Sequence, residues 1–268
     1  MGELIARSVT LGYGERVVAR DLDLEVPAGR ITSIVGPNGC GKSTLLRGFS
    51  RLLAPSSGQI LLDGDDVATL PARELARRLG LLPQSPITPE AMTVAELVGL
   101  GRHPHRGMLG GWSRADQDAV DEALGMTRTA ELAGRRVDQL SGGQRQRVWI
   151  ATVLAQRTAT LLLDEPISFL DIARAVEVLD LVVDLNRQRG TTVVMVLHDL
   201  NLAARYSDRL IAMREGAVVA AGAPSEVVTE EMVRDVFGVP SRVIPDPVSG
   251  TPLVVPIGRH HVSPPPPG

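Results

Sequence analysis

A glycine-rich loop that ends in lysine and serine is the part of this sequence best suited to bind a phosphate group. Residues 36–43, GPNGCGKS, match the pattern G-x-x-x-x-G-K-[ST]. In such a loop the glycines allow backbone N–H groups to surround phosphate oxygens. We expect Lys42 to reach the β- and γ-phosphates of a nucleoside triphosphate and Ser43 to ligate Mg²⁺. The residues assigned to nucleotide binding here are Gly36, Pro37, Asn38, Gly39, Cys40, Gly41, Lys42, Ser43 and Thr44.

An acidic pair follows a second apolar stretch of the chain. Residues 161–163 are three leucines, and they lead directly into Asp164 and Glu165. A buried strand that ends in an acid can place that acid beside a metal ion, so Asp164 is expected to bind Mg²⁺, through water. Glu165 is expected to polarise the attacking water as a general base. Without the phosphate loop upstream, a simple helix cap would explain the pair equally well.

A third feature, residues 140–144 with the sequence LSGGQ, predicts a second contact to phosphate. Ser141 followed by two glycines predicts the start of a helix, with free N–H groups and a positive dipole end. Ser141 and Gln144 also have the spacing of an ordinary capping box. However, Gly142 and Gly143 each weaken a helix by about 0.5–1 kcal/mol relative to alanine, which is understandable if a ligand approaches the backbone. Two separate phosphate contacts predict a nucleotide held between two copies of the chain.

The elements that must position these residues follow from the pattern of apolar runs. Short apolar runs alternate with helical patterns, which predicts a parallel sheet covered on both faces; the runs are 31–35, 79–82, 160–163, 193–197 and 210–213. A helical pattern over 44–53 follows the phosphate loop. Ligands gather at the carboxyl ends of such strands, and polar residues follow four of the runs: Gly36, Gln84, Asp164 and His198.

The two ends and the middle of the chain do not follow this alternation of apolar runs and helical patterns. Residues 4–27 predict short strands around a turn at Tyr13 and Gly14. Helical patterns dominate about 85–156, clearest at 93–101 and 114–124, which predicts an inserted helical subdomain. We expect one nucleotide-binding domain over 1–240 and an extension over 241–268. Its proline-rich end, from residue 256 onward, is expected to be disordered.

Composition limits the class of protein. The chain has 268 residues, 44% hydrophobic residues and a net charge of −3, so its charge does not indicate nucleic-acid binding. No apolar run reaches the ~18 residues needed to span a membrane, and no signal peptide is evident. The single cysteine, Cys40, excludes an internal disulfide and fits a reducing compartment. We therefore expect a cytosolic chain whose membrane role, if any, depends on a partner.

With these motifs, the chain resembles the ATP-binding subunits of ABC transporters over about residues 4–239. Residues 140–144 look like the signature of that family. The resemblance is strongest to bacterial importers of iron–siderophore, haem and cobalamin, over 36–47, 140–156 and 197–208. It implies a P-loop NTPase core of the α/β class, with a mainly parallel sheet, an N-terminal antiparallel β subdomain and an inserted helical subdomain. It also implies hydrolysis of MgATP at a head-to-tail homodimer interface, coupled to uptake of a ferric siderophore or related metal chelate.

The resemblance implies roles for several further residues. Tyr13 would stack on adenine, although an aromatic in a strand is the simpler alternative. Gln84 would sense Mg²⁺ and the attacking water, against the alternative of an ordinary surface glutamine. His198 would hold the γ-phosphate and orient Glu165, although a lone histidine is usually structural.

The signature and a second segment are implied to act across the dimer. Ser141, Gly142, Gly143 and Gln144 would contact the γ-phosphate bound on the opposite subunit, and Asp171 would join the two active sites. The turn at 166–168, Pro-Ile-Ser, departs from the threonine-rich turn usual in this group. Ile167 therefore makes the geometry between Glu165 and Asp171 harder to predict.

The implied partners are a second copy of the chain, two integral-membrane permease subunits and, indirectly, a substrate-binding protein. The chain would then lie at the cytoplasmic face of the membrane. Residues 85–111 are expected to form much of the docking surface, with Arg102 and Arg106 as its charges. A small-molecule kinase would explain the phosphate loop but not residues 140–144. An ATP-gated structural or DNA-associated dimer of the same superfamily usually carries a long coiled coil or tandem nucleotide domains, and neither pattern is seen in this sequence. The histidine pairs 103/105 and 260/261 lack the further ligands that a metal site needs.

Overall fold

The computed structural model describes residues 2–87, 91–107, 111–168 and 170–260. The strands are β1 Leu4–Tyr13, β2 Arg16–Val26, β3 Ile31–Val35, β4 Ser57–Leu62, β5 Asp65–Asp66, β6 Leu79–Leu82, β7 Thr160–Asp164, β8 Thr192–Val196, β9 Arg209–Arg214, β10 Ala217–Gly222, β11 Ser241–Pro245 and β12 Pro252–Pro256. The α-helices are α1 Lys42–Phe49, α2 Ala72–Arg78, α3 Val94–Leu100, α4 Arg114–Met126, α5 Gly142–Ala155, α6 Ile172–Arg189, α7 Leu200–Tyr206, α8 Pro224–Val227 and α9 Glu230–Phe237. Three short 3₁₀ turns complete them, at His103–His105, Ala130–Leu132 and Val137–Gln139.

The central sheet has six strands in the order β10-β9-β3-β8-β7-β6. All neighbours pair in parallel except β10, which runs antiparallel to β9. Every residue of β3, β7 and β8 is buried, because helices cover both faces. Two apolar clusters form these layers, with Val193 and Met195 of β8 in one and Val194 and Val196 in the other. The predicted parallel sheet is therefore confirmed.

A second sheet, in the order β2-β1-β4-β5, is antiparallel. Its first two strands are joined by the turn at residues 14–15, as the sequence predicted. Leu11 of β1 packs against Gly48 of α1, which brings this sheet next to the helix that follows the phosphate loop. Tyr13, the last residue of β1, lines the same cavity as Lys42 and Ser43, so the end of β1 lies near the phosphate loop.

Between β6 and β7 the chain forms a helical layer in which α3, α4 and α5 pack on one another. Thr93 caps α3 and Ser113 caps α4, and each is part of a capping box. The predicted helices at 93–101 and 114–124 thus exist with slightly shifted ends. Within the described ranges, none of the helices has both the length and the apolar character needed to cross a bilayer.

The C-terminal region differs from expectation. Residues 241–256 form the antiparallel hairpin β11–β12, which packs on α7, so residue 256 ends a strand and does not begin a tail. Sequence patterning missed this hairpin because β12 begins and ends with proline, which favours edge strands and loops over ladder positions. The four consecutive prolines of the expected tail lie outside the described residues.

The expectation that Arg102 is a docking charge on the surface is wrong. Its side chain is only 7% exposed and pairs with the equally buried Asp116, with 3.0 Å between Nε and Oδ1. Arg102 also donates to the backbone carbonyl of Ala155 at 2.8 Å. Hydrogen bonds from Ser113 and Arg102 lower the pKa of Asp116 to about 2, although burial opposes them. Arg102 therefore fastens α4 to the end of α5.

We predict that Arg102→Met lowers the free energy of unfolding by about 3 kcal/mol, because it leaves the Asp116 carboxylate buried without its cation. Urea denaturation of the purified chain measures this loss. Arg106→Met is the control, since Arg106 is exposed and lies 5.7 Å from the ring centre of Trp112, and it should cost much less. Equal losses in the two variants would contradict the structural role of Arg102.

Candidate nucleotide-binding site

A cavity of about 480 Å³ lies at the carboxyl ends of the central strands, where the sequence analysis places the chemistry. It combines residues from the end of β1, the phosphate loop, and the segments after β6, β7 and β8. The lining residues are Tyr13, Arg16, Val18, Asn38, Gly39, Gly41, Lys42, Ser43, Thr44, Gln84, Glu165 and His198. Ten of these twelve were assigned to the site from the sequence; Arg16 and Val18, which belong to β2, were not.

The phosphate loop leaves β3 through a backbone that needs glycine at two points. Gly36 has φ 152°, and a Cβ there would lie 2.2 Å from the carbonyl oxygen of Met213. Gly41 has φ 107° and directly precedes α1. Cys40 is only 5% exposed and its thiol packs in the apolar cluster, so only its backbone can face a phosphate. The helix begins at Lys42 and ends at Phe49, earlier than the 44–53 pattern suggested.

Lys42 places a cation inside the loop. Its Nζ donates to the carbonyl oxygens of Gly36 at 2.8 Å and Pro37 at 2.9 Å, and the residue is 5% exposed. Nζ also lies 4.0 Å from Cys40 Sγ, and among the described residues no carboxylate at hydrogen-bonding distance cancels the positive charge. An anionic phosphate is the complement that this arrangement favours.

Ser43 and Asp164 meet at the opposite side of the loop. The Ser43 hydroxyl donates to Asp164 Oδ1 at 2.9 Å, which joins the first turn of α1 to the end of β7. Burial raises the pKa of Asp164 above its usual range; the Ser43 hydrogen bond opposes this, and the neighbouring charge of Glu165 adds to it. A hydroxyl and a carboxylate oxygen side by side are the hard ligands that Mg²⁺ takes, and a divalent cation would offset the crowded negative charge. These residues therefore fit Mg²⁺.

Glu165 is held by both of its carboxylate oxygens. Oε1 lies 2.6 Å from His198 Nε2, and Oε2 accepts a hydrogen bond from Ser168 Oγ at 2.9 Å. Burial alone would raise the pKa of Glu165, but hydrogen bonds from His198, Ser168 and Gln84 bring it below its usual value. The group is thus ionised and oriented, as a general base must be.

Ser168, like Arg16 and Val18, was not assigned to the site from the sequence. Its backbone N–H also bonds to the carbonyl of Glu165 at 3.2 Å, so residues 165–168 form a tight turn that begins with Glu165 at φ 54°. The signal in the sequence is the unusual Pro-Ile-Ser turn at 166–168, which differs from the threonine-rich turn of similar proteins. Ile167 does not disturb it, because its side chain packs against the main apolar cluster.

The signature residues form a capping box and still present an open helix end. Gln144 N–H donates to Ser141 Oγ at 3.3 Å, and Ser141 N–H donates to Gln144 Oε1 at 3.1 Å. Both Ser141 and Gly142 are exposed. A Cβ built on Gly142 meets nothing within 4 Å, so the packing of the described chain does not require glycine there. None of these residues lines the cavity of the same chain.

Asp171 and Tyr13, which were also predicted from the sequence, each accept a hydrogen bond within the chain. Asp171 is exposed and caps α6 by accepting from the N–H of Arg174 at 2.9 Å. Tyr13 is 44% exposed at the cavity mouth, where its hydroxyl accepts from Arg47 Nη1 at 2.9 Å. Its exposed ring is available for stacking.

His103 and His105 lie in a short 3₁₀ turn, where His105 has a backbone partner. His105 Nε2 lies 2.8 Å from the carbonyl oxygen of Gln156, and burial lowers the pKa of the ring. Across the described ranges, no three His, Cys, Asp or Glu side chains are grouped as metal ligands would be. Of the pair at 260/261, His261 lies outside those ranges.

The chain is similar to known proteins in both sequence and fold. Residues 19–168 match the ABC transporter family. The chain is 52% identical over 263 residues to the ferric enterobactin transport ATP-binding protein FepC of Escherichia coli (strain K12), covering 97% of each. It is 49% identical over 259 residues to the achromobactin transport ATP-binding protein CbrD of Dickeya dadantii (strain 3937), covering 97% of this chain and 96% of that one.

Two solved structures extend the comparison. One is reported as a metal-chelate type ABC transporter in an inward-facing conformation; it has a TM-score of 0.82 at 27% identity and covers 96% of this chain and 98% of that chain. The other is a dimeric bacterial ABC transporter cassette, with a TM-score of 0.74 at 31% identity, 82% of this chain and 98% of that chain. The same cassette has been solved in a post-hydrolysis state bound to ADP and Pi.

The chain belongs to the ABC transporter family and is one of its ATP-binding, ATP-hydrolysing members. The expected P-loop NTPase fold is confirmed by these structural relatives.

We predict that Ser168→Ala lowers kcat for ATP hydrolysis about tenfold, because Glu165 loses one of the hydrogen bonds that orient it. The KM for ATP should not change, since Ser168 is not among the residues that line the cavity. Steady-state phosphate release measures both constants.

Ser168→Thr is the matched control, because it keeps the hydroxyl and should retain most of the activity. A higher KM with an unchanged kcat in Ser168→Ala would contradict a role in orienting Glu165.

Proposed function

We propose that this chain is the ATP-hydrolysing subunit of an importer for a ferric siderophore or a related metal chelate such as haem or cobalamin. The observation that supports the substrate class is the 52% identity to a ferric enterobactin transport ATP-binding protein over nearly the whole of both chains. The observation that supports hydrolysis is the carboxylate of Glu165, ionised and held by both oxygens beside a phosphate loop.

In the proposed site, the nucleotide lies along the phosphate loop with its adenine on Tyr13. Lys42 and the backbone N–H groups of residues 36–44, except Pro37, stabilise the charge of the β- and γ-phosphates. Ser43 and Asp164, with Gln84 nearby, would hold Mg²⁺, which when bound offsets the charge on the phosphate oxygens. Glu165 orients a water for in-line attack, and His198 fixes Glu165 and the γ-phosphate.

The second half of each site is proposed to come from another copy of the chain. Ser141, Gly142, Gly143 and Gln144 would present the open end of α5 to the partner's γ-phosphate. This proposal is supported by the exposure of Ser141 and Gly142 and by the space around Gly142. Asp171, exposed at the start of α6, would contact the partner near the join of the two sites.

We assign residues 1–240 to the ATP-binding domain, with 85–156 as its helical subdomain, and 241–268 to a C-terminal extension. Through two membrane permease subunits the chain would be held at the cytoplasmic face of the membrane and served by a substrate-binding protein. No nucleic-acid partner is proposed.

A groove of about 640 Å³ between α2 and the turn after α3 is the proposed permease docking surface. Its walls are formed by Ala72, Arg73 and Ala76 of α2 and by His103, Pro104, Arg106 and Gly107. Arg73 and Arg77 both donate to the carbonyl oxygen of Pro104 at 2.8 Å, so the two walls have a fixed spacing. Arg106, exposed on the second wall, provides a charge for the partner.

We predict that Glu165→Gln leaves ATP binding intact, abolishes turnover and gives a dimer that depends on ATP, because the amide cannot act as a base. Nucleotide binding, phosphate release without any acceptor, and light scattering measure the three effects. Glu177→Gln, which removes an exposed partner of Arg174, is the control.

A Glu165→Gln variant that stays monomeric at saturating ATP would exclude the two-copy site. Wild-type phosphate release that requires an added acceptor would instead indicate a kinase.

We predict that Arg106→Glu weakens copurification with the membrane subunits of a ferric siderophore importer at least severalfold, because it reverses the exposed charge of the groove. Its ATPase activity without those subunits should be unchanged. Arg20→Glu, an exposed charge reversal on β2, is the control. Equal recovery of membrane subunits with both variants would exclude the groove as the docking surface.

A further inference from the structure

His198 lies next to the short helix α7, which depends on packing contacts for its orientation. The residue lies between β8 and α7, and Asp199 caps α7 by accepting from the N–H groups of Asn201 and Leu202 at 2.9 Å each. The helix has only seven residues, and helices of that length are not stable alone in water. The direction of α7, and with it the approach of His198 to Glu165, therefore depends on what packs against the helix.

One of those neighbours is the hairpin β11–β12, and Asn201 is the main polar link to it. Asn201 Oδ1 accepts from the N–H of Val254 at 2.7 Å, and its Nδ2 donates to the carbonyl oxygen of Val254 at 3.2 Å. The side-chain amide thus satisfies both backbone groups of one residue in β12. Such a two-bond contact fixes orientation as well as distance, because both atoms of the amide are used.

A second link lies one helical turn further along the same face. Arg205 Nη2 pairs with Asp246 Oδ2 at 2.5 Å, and Asp246 is 9% exposed. The other oxygen of Asp246 accepts from the N–H groups of Val248 and Ser249, so the acid is fixed by its own turn. The hairpin is therefore a preformed surface, and α7 is attached to it at two points.

We propose that Asn201 is a positioning residue for ATP hydrolysis: its amide, bonded to both backbone groups of Val254, fixes α7 so that His198 Nε2 stays on the Glu165 carboxylate. The C-terminal hairpin then acts on the catalytic centre without lining it. This inference rests on the roles proposed above for His198 and Glu165.

The loss of Asn201 should loosen this contact without unfolding the chain. Ala203 and Ala204 of α7 remain buried in the core, and the hairpin keeps its own β-ladder and turn. Alanine also has a higher helix propensity than asparagine, and the Asp199 cap bonds to backbone groups that the substitution leaves in place. Any loss of activity in Asn201→Ala therefore cannot be assigned to a weaker helix.

The test compares Asn201→Ala with Asn186→Ala. Asn186 is equally half-buried, and its Nδ2 donates to the carbonyl oxygens of Gly29 and Thr191 at 3.0 and 2.8 Å. Both variants lose two hydrogen bonds to the backbone, but Asn186 lies at the amino ends of β3 and β8, away from His198. We expect Asn201→Ala to lower kcat about fivefold to tenfold with an unchanged KM for ATP, and Asn186→Ala to leave kcat within about twofold.

A second measurement follows His198 itself. The ring signal of His198 in a two-dimensional carbon–proton NMR spectrum, assigned with His198→Ala, should shift or broaden in Asn201→Ala and not in Asn186→Ala. Arg205→Met, which removes the second link, should lower kcat in the same direction by a smaller factor. Thermal melting of each variant shows that the fold is kept.

The outcomes test the proposed site and the role of Asn201 separately. Full activity in His198→Ala would contradict the proposed site itself. A large loss in His198→Ala together with a normal kcat and an unmoved ring signal in Asn201→Ala would overturn the role of Asn201 alone. Equal losses of kcat in Asn201→Ala and Asn186→Ala would overturn it as well.

Discussion

Two adjacent carboxylates, Asp164 at the end of the buried strand β7 and Glu165 directly after it, have surroundings that keep them from behaving alike. Burial and the charge of its neighbour raise the pKa of Asp164, while three hydrogen-bonding side chains lower that of Glu165. The Asp164 carboxylate accepts a hydrogen bond from Ser43, whereas the Glu165 carboxylate, on a left-handed backbone, contacts His198. Environments that separate two acids in this way are typical of sites that need a cation ligand and a base side by side.

The sheet explains why distant parts of the sequence supply this site. The phosphate loop, Gln84, the acidic pair and His198 follow β3, β6, β7 and β8, which are neighbours in a parallel sheet and end at the same edge. Apolar runs bounded by polar residues were enough to predict this much, because fully buried strands leave an unmistakable pattern. The bounds of β6 were predicted to the residue, and those of β7, β8 and β9 to within one residue at each end.

Other parts depended on contacts that periodicity does not encode. Arg102 looks like a surface charge in the sequence, and only the packing of α4 against α5 reveals the acid that neutralises it. Ser168 reaches Glu165 only because the turn between them is tight. The prolines of β12 concealed the hairpin β11–β12 from sequence patterning. Its proposed effect on the site passes mainly through the side-chain amide of Asn201 on α7. Sequence patterns locate strands and helix ends, but pairings between side chains far apart in the chain follow from the fold.

The buried pair of Arg102 and Asp116 has a mechanical consequence. Together with the bond from Arg102 to Ala155, it fuses the start of α4 and the last turn of α5 into one block beside the groove. The 14 residues of α5 run from that block to Ser141, a distance of about 21 Å at the usual rise per residue. Because α5 also packs on α3 and α4, a small tilt of these helices as a unit would displace the far tip of α5. A push delivered at the groove would thus be felt at the glycines of the signature without any change inside the helix.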